Sequence, residues 1–289
     1  MPKISVILAT YNDEKYIRDA IDSILNQTHE DLELIIVDDG STDSTYEIIN
    51  SFQDTRVIYL KNGQNRGLPY SLNRGLKHAT GDYIARMDGD DISLPTRMEE
   101  QLRYLEEHKE VAICGCLWKS FGRSSHLDIQ PEDMEGLKVK LLFYSPLAHS
   151  SWFIRASVIR EGNLKYNTSF RSSQDYEFLY RLQKEYNIAC VQKVLLNYRV
   201  HAKSITGQTR GVDKNTMRVQ KRILQDLGIK ASYKELQLLN SGDNLHGFVD
   251  YLLLRRLFRR IISANKKHHI FVQDKLEKEL QQRLSTLKK

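Results

Sequence analysis

Short apolar runs alternate with amphipathic stretches through the first half of the chain. The runs cover 4–9, 32–37, 57–60, 83–87 and 111–117. They are rich in Ile and Val and do not strictly alternate, as expected of strands buried on both faces. Between the first two, Tyr16, Ile17, Ala20, Ile21, Ile24 and Leu25 recur at helical spacing. Ser44, with Glu47 three residues later, offers a capping box ahead of Ile48 and Ile49. A third helix is expected over 68–79. A fourth is expected from Pro95, a favoured first-turn residue. Residues 119–131 are polar and irregular, strands are expected at 150–155 and 194–200, and the chain reads as all helix after about 210. Strand–helix–strand repetition of this kind predicts an α/β domain with a mostly parallel sheet.

Composition narrows the class. A chain of 289 residues, 40% hydrophobic and 28% charged, fits a globular protein of about one or two domains. The net charge of +6 is unevenly spread. Residues 211–289 carry 17 Lys+Arg against 8 Asp+Glu, whereas residues 1–210 carry 26 against 29. Cys114, Cys116 and Cys190 are too few for a disulfide framework and read as reduced core thiols. Residues 4–9 are too short a run for a signal-peptide core. No window approaches the roughly 18 apolar residues of a membrane span. A cytoplasmic protein is therefore expected. No G-x-G-x-x-G, P-loop, G-x-S-x-G, H-E-x-x-H or C-x-x-C motif occurs, which argues against hydride transfer, P-loop ATP hydrolysis and zinc proteolysis.

Candidate chemistry sits at strand ends. In open α/β sheets, ligands bind beyond the carboxyl ends of the strands. Three such ends run into Thr10-Tyr11-Asn12, Asp38-Asp39-Gly40-Ser41-Thr42-Asp43 and Asp88-Gly89-Asp90-Asp91. Crowded carboxylates repel unless a cation lies between them. Mg²⁺ or Mn²⁺ takes one or two carboxylates and completes its shell with water and substrate phosphate. Gly89 would supply the sharp turn that aims both acids at one ion. Helix capping is the simpler alternative, but it needs only one acid. An EF-hand is excluded because Ile92 stands where the third acidic ligand belongs. At the second strand end, a carboxylate facing an aromatic such as Tyr11 can hold a nucleoside. The same Asp-Gly-Ser-Thr-Asp run is also strong turn chemistry.

These segments, in this order, resemble the family 2 glycosyltransferases of GT-A fold. The resemblance rests on residues 4–12 (ISVILATYN), 35–43 (IIVDDGSTD), Asn65-Arg66-Gly67 and 81–91 (GDYIARMDGDD), and it covers roughly residues 3–205. It implies an α/β GT-A domain with a mostly parallel central sheet flanked by helices, a Rossmann-like nucleotide-binding half and a C-terminal helical extension. The halves would be 1–118 for the nucleotide sugar and 119–210 for the acceptor, with the basic helical extension at 211–289.

The implied activity is inverting transfer of a hexosyl or N-acetylhexosaminyl group. The donor would be a nucleotide diphosphate sugar, most often a UDP-sugar, and the acceptor a glycan or lipid-linked hydroxyl in cell-surface polysaccharide or glycoconjugate assembly. By the resemblance, Thr10, Tyr11 and Asp39 lie at the base and ribose. Arg66 lies near the nucleotide, Asp88 near the ribose and donor sugar, and Asp90 is the direct ligand of Mn²⁺ or Mg²⁺. Asp175, in Ser173-Gln174-Asp175, takes the catalytic-base position. Gln174 replaces the commoner Glu there, which removes one like charge and should soften any rise in the Asp175 pKa. Glu177 is the competing base. His201, ending Tyr198-Arg199-Val200-His201, is a candidate metal or diphosphate contact, and His149 a candidate for the sugar or acceptor pocket. Both have the alternative of a structural role. Trp152 and Phe153 read as core.

Residues 254, 257, 258, 261 and 262 are apolar, and 255, 256, 259 and 260 are arginines. This gives one helix an apolar and a cationic face. Two uses stay open: packing of the apolar face on the body, or contact with an anionic membrane surface, which would make the protein peripheral at the inner face of the cell membrane. No nucleic-acid partner is expected. The rival activities are a sugar-nucleotide pyrophosphorylase, which would want a glycine-rich loop where residues 10–13 stand, and a basic nucleic-acid or scaffold protein with a decayed transferase domain.

Overall fold

The computed structural model describes residues 2–201, 213–240 and 247–286. Eight strands form one mixed sheet: β1 (Ile4–Thr10), β2 (Leu32–Asp38), β3 (Val57–Lys61), β4 (Tyr83–Asp88), β5 (Ile92–Ser93), β6 (Val111–Gly122), β7 (Phe153–Arg155) and β8 (Asn187–Val200). Their order is β3-β2-β1-β4-β7-β6-β8-β5. The four N-terminal strands pair in parallel, and β7 enters antiparallel between β4 and β6.

Every residue of β1 and β2 is buried, because both faces of the sheet are covered. Ile4, Val6 and Leu8 pack on α1 (Ile17–Leu25), through Ile17, Ala20, Ile21 and Ile24. Ile7 and Ala9 point to the other face, where Leu72 of α3 (Leu68–His78) lies, as the two-residue period of a strand requires. Between α1 and α3 in the chain, α2 (Thr45–Asn50) places Ile49 on the α1 face. Farther along, α4 (Arg97–Glu107), α5 (Met134–Lys140), α6 (Ala156–Glu161) and α7 (Gln174–Leu182) flank the second half.

Several expected boundaries move. Ser44 makes no side-chain cap bond. Asp43 Oδ1 instead accepts from the Thr45 amide (3.1 Å) and hydroxyl (2.6 Å), which pre-empts the capping box. Pro95 lies in the turn before α4, whose N-cap is Thr96, because β5 holds the preceding residues against β8. Residues 149–151 form a 3₁₀ turn rather than strand, with the Ser151 amide on the Ala148 carbonyl at 2.9 Å. The change of half expected at 118 falls inside β6. The start of the extension at 211 lies outside the described residues.

The C-terminal helices are α8 (Lys214–Asp226), α9 (Tyr233–Leu239), α10 (Phe248–His268) and α11 (Gln273–Thr286). Their buried residues, among them Ile223, Leu257, Phe258, Ile261 and Leu276, join one apolar cluster with Leu137, Phe143, Trp152 and Phe178. Polar contacts reinforce it. Lys140 pairs with Glu279 at 2.8 Å, and the Arg283 guanidinium lies 3.5 Å from the centre of the Phe143 ring. Each fully buried Leu or Phe contributes about 1.5–3 kcal/mol, so this packing holds the tail firmly on the body. The apolar stripe of α10 is spent on protein rather than left for lipid.

Candidate active site

Parallel pairing brings three strand ends to one edge. Thr10 pairs with Asp38 in register, and Ala9 pairs with Asp88. The loops are then stitched together. Asn12, in the left-handed region at φ 56°, accepts from the Thr42 amide at 2.8 Å, while its own amide donates to Ser41 Oγ at 2.9 Å. Asp39 is buried and bridges to α3. It accepts from Asn62 Nδ2 (2.7 Å), the Arg66 amide (2.9 Å) and the Gly67 amide (2.7 Å). A carboxylate has about four acceptor positions, so one remains for a ligand donor. Tyr11 stands half-exposed beside it. The Arg66 guanidinium is exposed, 4.0 Å from the centre of the Tyr70 ring. Thr10 is buried, and its hydroxyl donates to Asp13 Oδ2 at 2.7 Å.

The acidic loop after β4 is concentrated. One oxygen from each of Asp88, Asp90 and Asp91 lies within 4.8 Å of the others. Asp88 forms a two-pronged ion pair with the buried Arg86 guanidinium. Asp90 Oδ2 lies 2.8 Å from His201 Nε2. Asp91 is buried and accepts from Ser150 Oγ at 2.5 Å and the Arg199 amide at 2.8 Å, tying the loop to β8 and the 3₁₀ turn. Burial first, then the neighbouring Asp88 charge, pushes the Asp90 carboxyl up, and Asp91 is pushed well up by burial and both neighbours. Asp13 joins the group, raised to about 6 by burial, with Asp90 and Asp88 adding to the rise.

Mutual repulsion of this kind is relieved by a cation. Carboxylate oxygens with one imidazole suit a hard or borderline divalent ion. The cluster could thus bind a metal ion, and His201 lies where it would join or brace Asp90. Gly89 serves close approach rather than an unusual turn. A Cβ there would meet Asp13 Oδ2 at 2.8 Å and Thr10 Oγ1 at 3.2 Å.

Asp88 opens into a cleft of about 500 Å³ whose lining includes Arg86, His149, Asp175, Trp118 and Gln130. Asp175 is the second residue of α7. Its N-cap, Ser173, sits at φ 54° and is held by Asp213 Oδ2 at 2.7 Å and Thr216 Oγ1 at 2.8 Å. Burial raises the Asp175 pKa, against the Tyr176 amide and the Arg86 cation, which lower it. Glu177, by contrast, is buried in ion pairs with Arg181 (3.0 Å) and Arg222 (3.1 Å). His149 Nε2 lies 2.8 Å from the Tyr166 hydroxyl, and burial drives its pKa well down. That leaves His149 a neutral hydrogen-bonding group at the cleft. Trp152 and Phe153 are fully buried.

Sequence reasoning missed Arg86, although a lone cation inside the apolar run Tyr83-Ile84-Ala85-Arg86-Met87 was a usable signal. Trp118, Asp128 and Gln130 were also missed. They also line the cleft, and neither the polar stretch 119–131 nor Trp118 just before it gave a sign of that.

Residues 5–174 match the model described as Glycosyl transferase family 2. The chain is a family 2 glycosyltransferase. An uncharacterized glycosyltransferase of Methanocaldococcus jannaschii is 34% identical to it over 208 residues, covering 69% of this chain and 71% of that one. The UDP-Glc:alpha-D-GlcNAc-diphosphoundecaprenol beta-1,3-glucosyltransferase WfaP of Escherichia coli is 31% identical over 237 residues, covering 81% and 90%. Among the first three curated relatives it matches, the chain spans from 58% to 71% of their length. The structure of S. aureus TarS 1–349 in complex with UDP-GlcNAc aligns with a TM-score of 0.67 at 19% identity, covering 99% of this chain and 88% of that one. The fold of the transferase is accordingly GT-A, with C-terminal helices present in addition.

Proposed function

We propose that this glycosyltransferase moves a sugar, with inversion, from a UDP-sugar to a hydroxyl of a lipid-linked glycan at the cytoplasmic face of the membrane. The observation that carries the proposal is the single cleft that Asp88 and Asp175 share. Asp88, the first residue of the acidic loop, and Asp175, whose pKa burial raises, both line it, which supports one reaction space between donor and acceptor. The name of the E. coli relative, which specifies UDP-Glc and a diphosphoundecaprenol acceptor, supports the substrate classes.

In this reading, Tyr11 stacks on the base, Asp39 and Thr10 hold the base and ribose edge, and Arg66 lies over the nucleotide. Asp88, fixed by Arg86, faces the ribose and donor sugar. Asp90 and His201 would hold Mn²⁺ or Mg²⁺, which supplies charge stabilisation to the leaving diphosphate. Asp175 takes the acceptor proton as the hydroxyl attacks the anomeric carbon. Holding both substrates in line is the remaining task of the cleft, and His149 orients a sugar hydroxyl there. Residues 1–118 then form the nucleotide-sugar half and 119–210 the acceptor half. Screening UDP- and GDP-sugars for donor hydrolysis tests the proposal. Turnover of a UDP-sugar supports it, and hydrolysis confined to other nucleotides would refute the donor assignment.

A further inference from the structure

The buried stripe of α10 leaves the opposite face outward, and that face has its own order. Phe248 and Val249, in the first turn, are 73% and 68% exposed, and Leu252 is 43% exposed. Leu252, Arg255 and Arg259 follow Phe248 by four, seven and eleven residues, so all four share one stripe of the helix. Arg256 flanks the stripe, and Lys266 and Lys267 extend it toward the C-terminus. All of these cations are exposed.

Arg255, Arg256 and Arg259 make no ion pair among the described residues, whereas neighbouring Arg260 is held by Glu235 at 2.6 Å. The one acid of α10, Asp250, is turned inward and paired with Lys234 at 2.9 Å. Among the described residues, the outward face is therefore apolar at one end, and its three arginines Arg255, Arg256 and Arg259 have no acidic partner.

We propose that this outward face of α10 is a docking surface for an anionic lipid bilayer. Phe248, Val249 and Leu252 enter the headgroup–acyl boundary, and Arg255, Arg256 and Arg259 pair with lipid phosphates. The charge selects an anionic surface, and the cluster of exposed apolar side chains favours a bilayer over nucleic acid, whose backbone contacts call for cations and polar groups alone. This departs from the way an amphipathic helix usually lies on a membrane, because the continuous apolar stripe faces the protein core. Contact is made by one turn and a row of arginines. The inference takes its biological use from the lipid-linked acceptor, but the binding itself needs no sugar.

The test is sedimentation of the full chain with vesicles of phosphatidylcholine alone or mixed with phosphatidylglycerol. The full chain should partition onto the anionic vesicles and not the neutral ones. The triple variant Arg255→Glu, Arg256→Glu, Arg259→Glu should weaken that partition on the order of 100-fold. Phe248→Ser with Leu252→Ser should weaken it at high salt as well as low. All five side chains are exposed or half-exposed, so circular dichroism should report an unchanged fold, and UDP-dependent thermal stabilisation should persist in both variants. Equal binding to neutral vesicles, indifference to charge reversal, or binding to duplex DNA without vesicle partition would overturn the proposal. A chain that binds vesicles but no UDP would leave this proposal standing and remove the donor assignment instead.

Discussion

His201 Nε2 lies 2.8 Å from Asp90 Oδ2, joining residues 111 positions apart in the chain. The contact fastens the end of β8 to the acidic loop after β4, so the second half of the domain contributes to the charge centre of the first. If a metal sits at Asp90, His201 either ligates it or orients its ligand, and both roles make affinity depend on the imidazole. His201→Ala should weaken Mn²⁺ affinity on the order of 10–100-fold, read by calorimetric titration. Unchanged affinity would leave His201 a purely structural contact.

Asp175 and Glu177 stand two residues apart on α7 with different surroundings. Asp175→Asn should preserve donor binding and lower transfer by about 10²–10⁴-fold, the usual share of a general base. Glu177→Gln should leave turnover near normal and lower stability by about 1–3 kcal/mol, because Arg181 and Arg222 lose their shared partner. Initial rates and thermal melts of the two variants separate the roles. The reverse pattern would make Glu177 the base.

The pH profile carries the Asp175 environment. Burial raises its pKa, and the proposed mechanism needs the carboxylate, so transfer should rise as pH climbs through the raised value. The Arg86 cation lowers that pKa. Arg86→Met should move the acid limb of kcat/KM to higher pH, and Arg86→Lys should hold it near the wild-type position. A limb that stays in place in Arg86→Met would separate Arg86 from the base.

A stability prediction concerns the far end of the sheet. Burial alone would raise the Glu33 pKa, but bonds from Lys3, Ser5 and Thr80 outweigh it and bring it down to about 2. A depressed folded-state pKa adds stability above the unfolded value and loses it on acidification. The Glu33 contribution should therefore be complete above about pH 4.5 and fade as pH falls toward 2. Glu33→Gln should flatten that stretch of the stability–pH curve measured by urea unfolding. An unaltered slope would contradict the assignment.

The site-bearing strands were legible because each is a short, mostly apolar run ending at Thr10, Asp38 or Asp88, and parallel pairing follows from the helices between them. Convergence of the loops was legible for the same reason. Arg86, Asp13 and Gln130 were not: Arg86 and Gln130 matter because the fold brings them to one cleft with Asp175, and Asp13 because burial and the charges of Asp88 and Asp90 act on it. The apolar period of α10 predicts a buried face but looks the same whether protein or lipid buries it. Only the packing of Leu257, Phe258 and Ile261 against the cluster containing Phe143 decides between them. At Ser44 the capping pattern was present, yet the adjacent Asp43 side chain reached the helix first.

Calorimetric titration of UDP into the full chain, with and without Mn²⁺, asks whether the acidic loop binds a nucleotide diphosphate through a divalent ion. UDP should bind more tightly with Mn²⁺, and Asp90→Ala should abolish the metal-dependent part while keeping the fold. Metal-independent binding that is indifferent to Asp90→Ala, or no binding of UDP under either condition, would contradict binding through the ion.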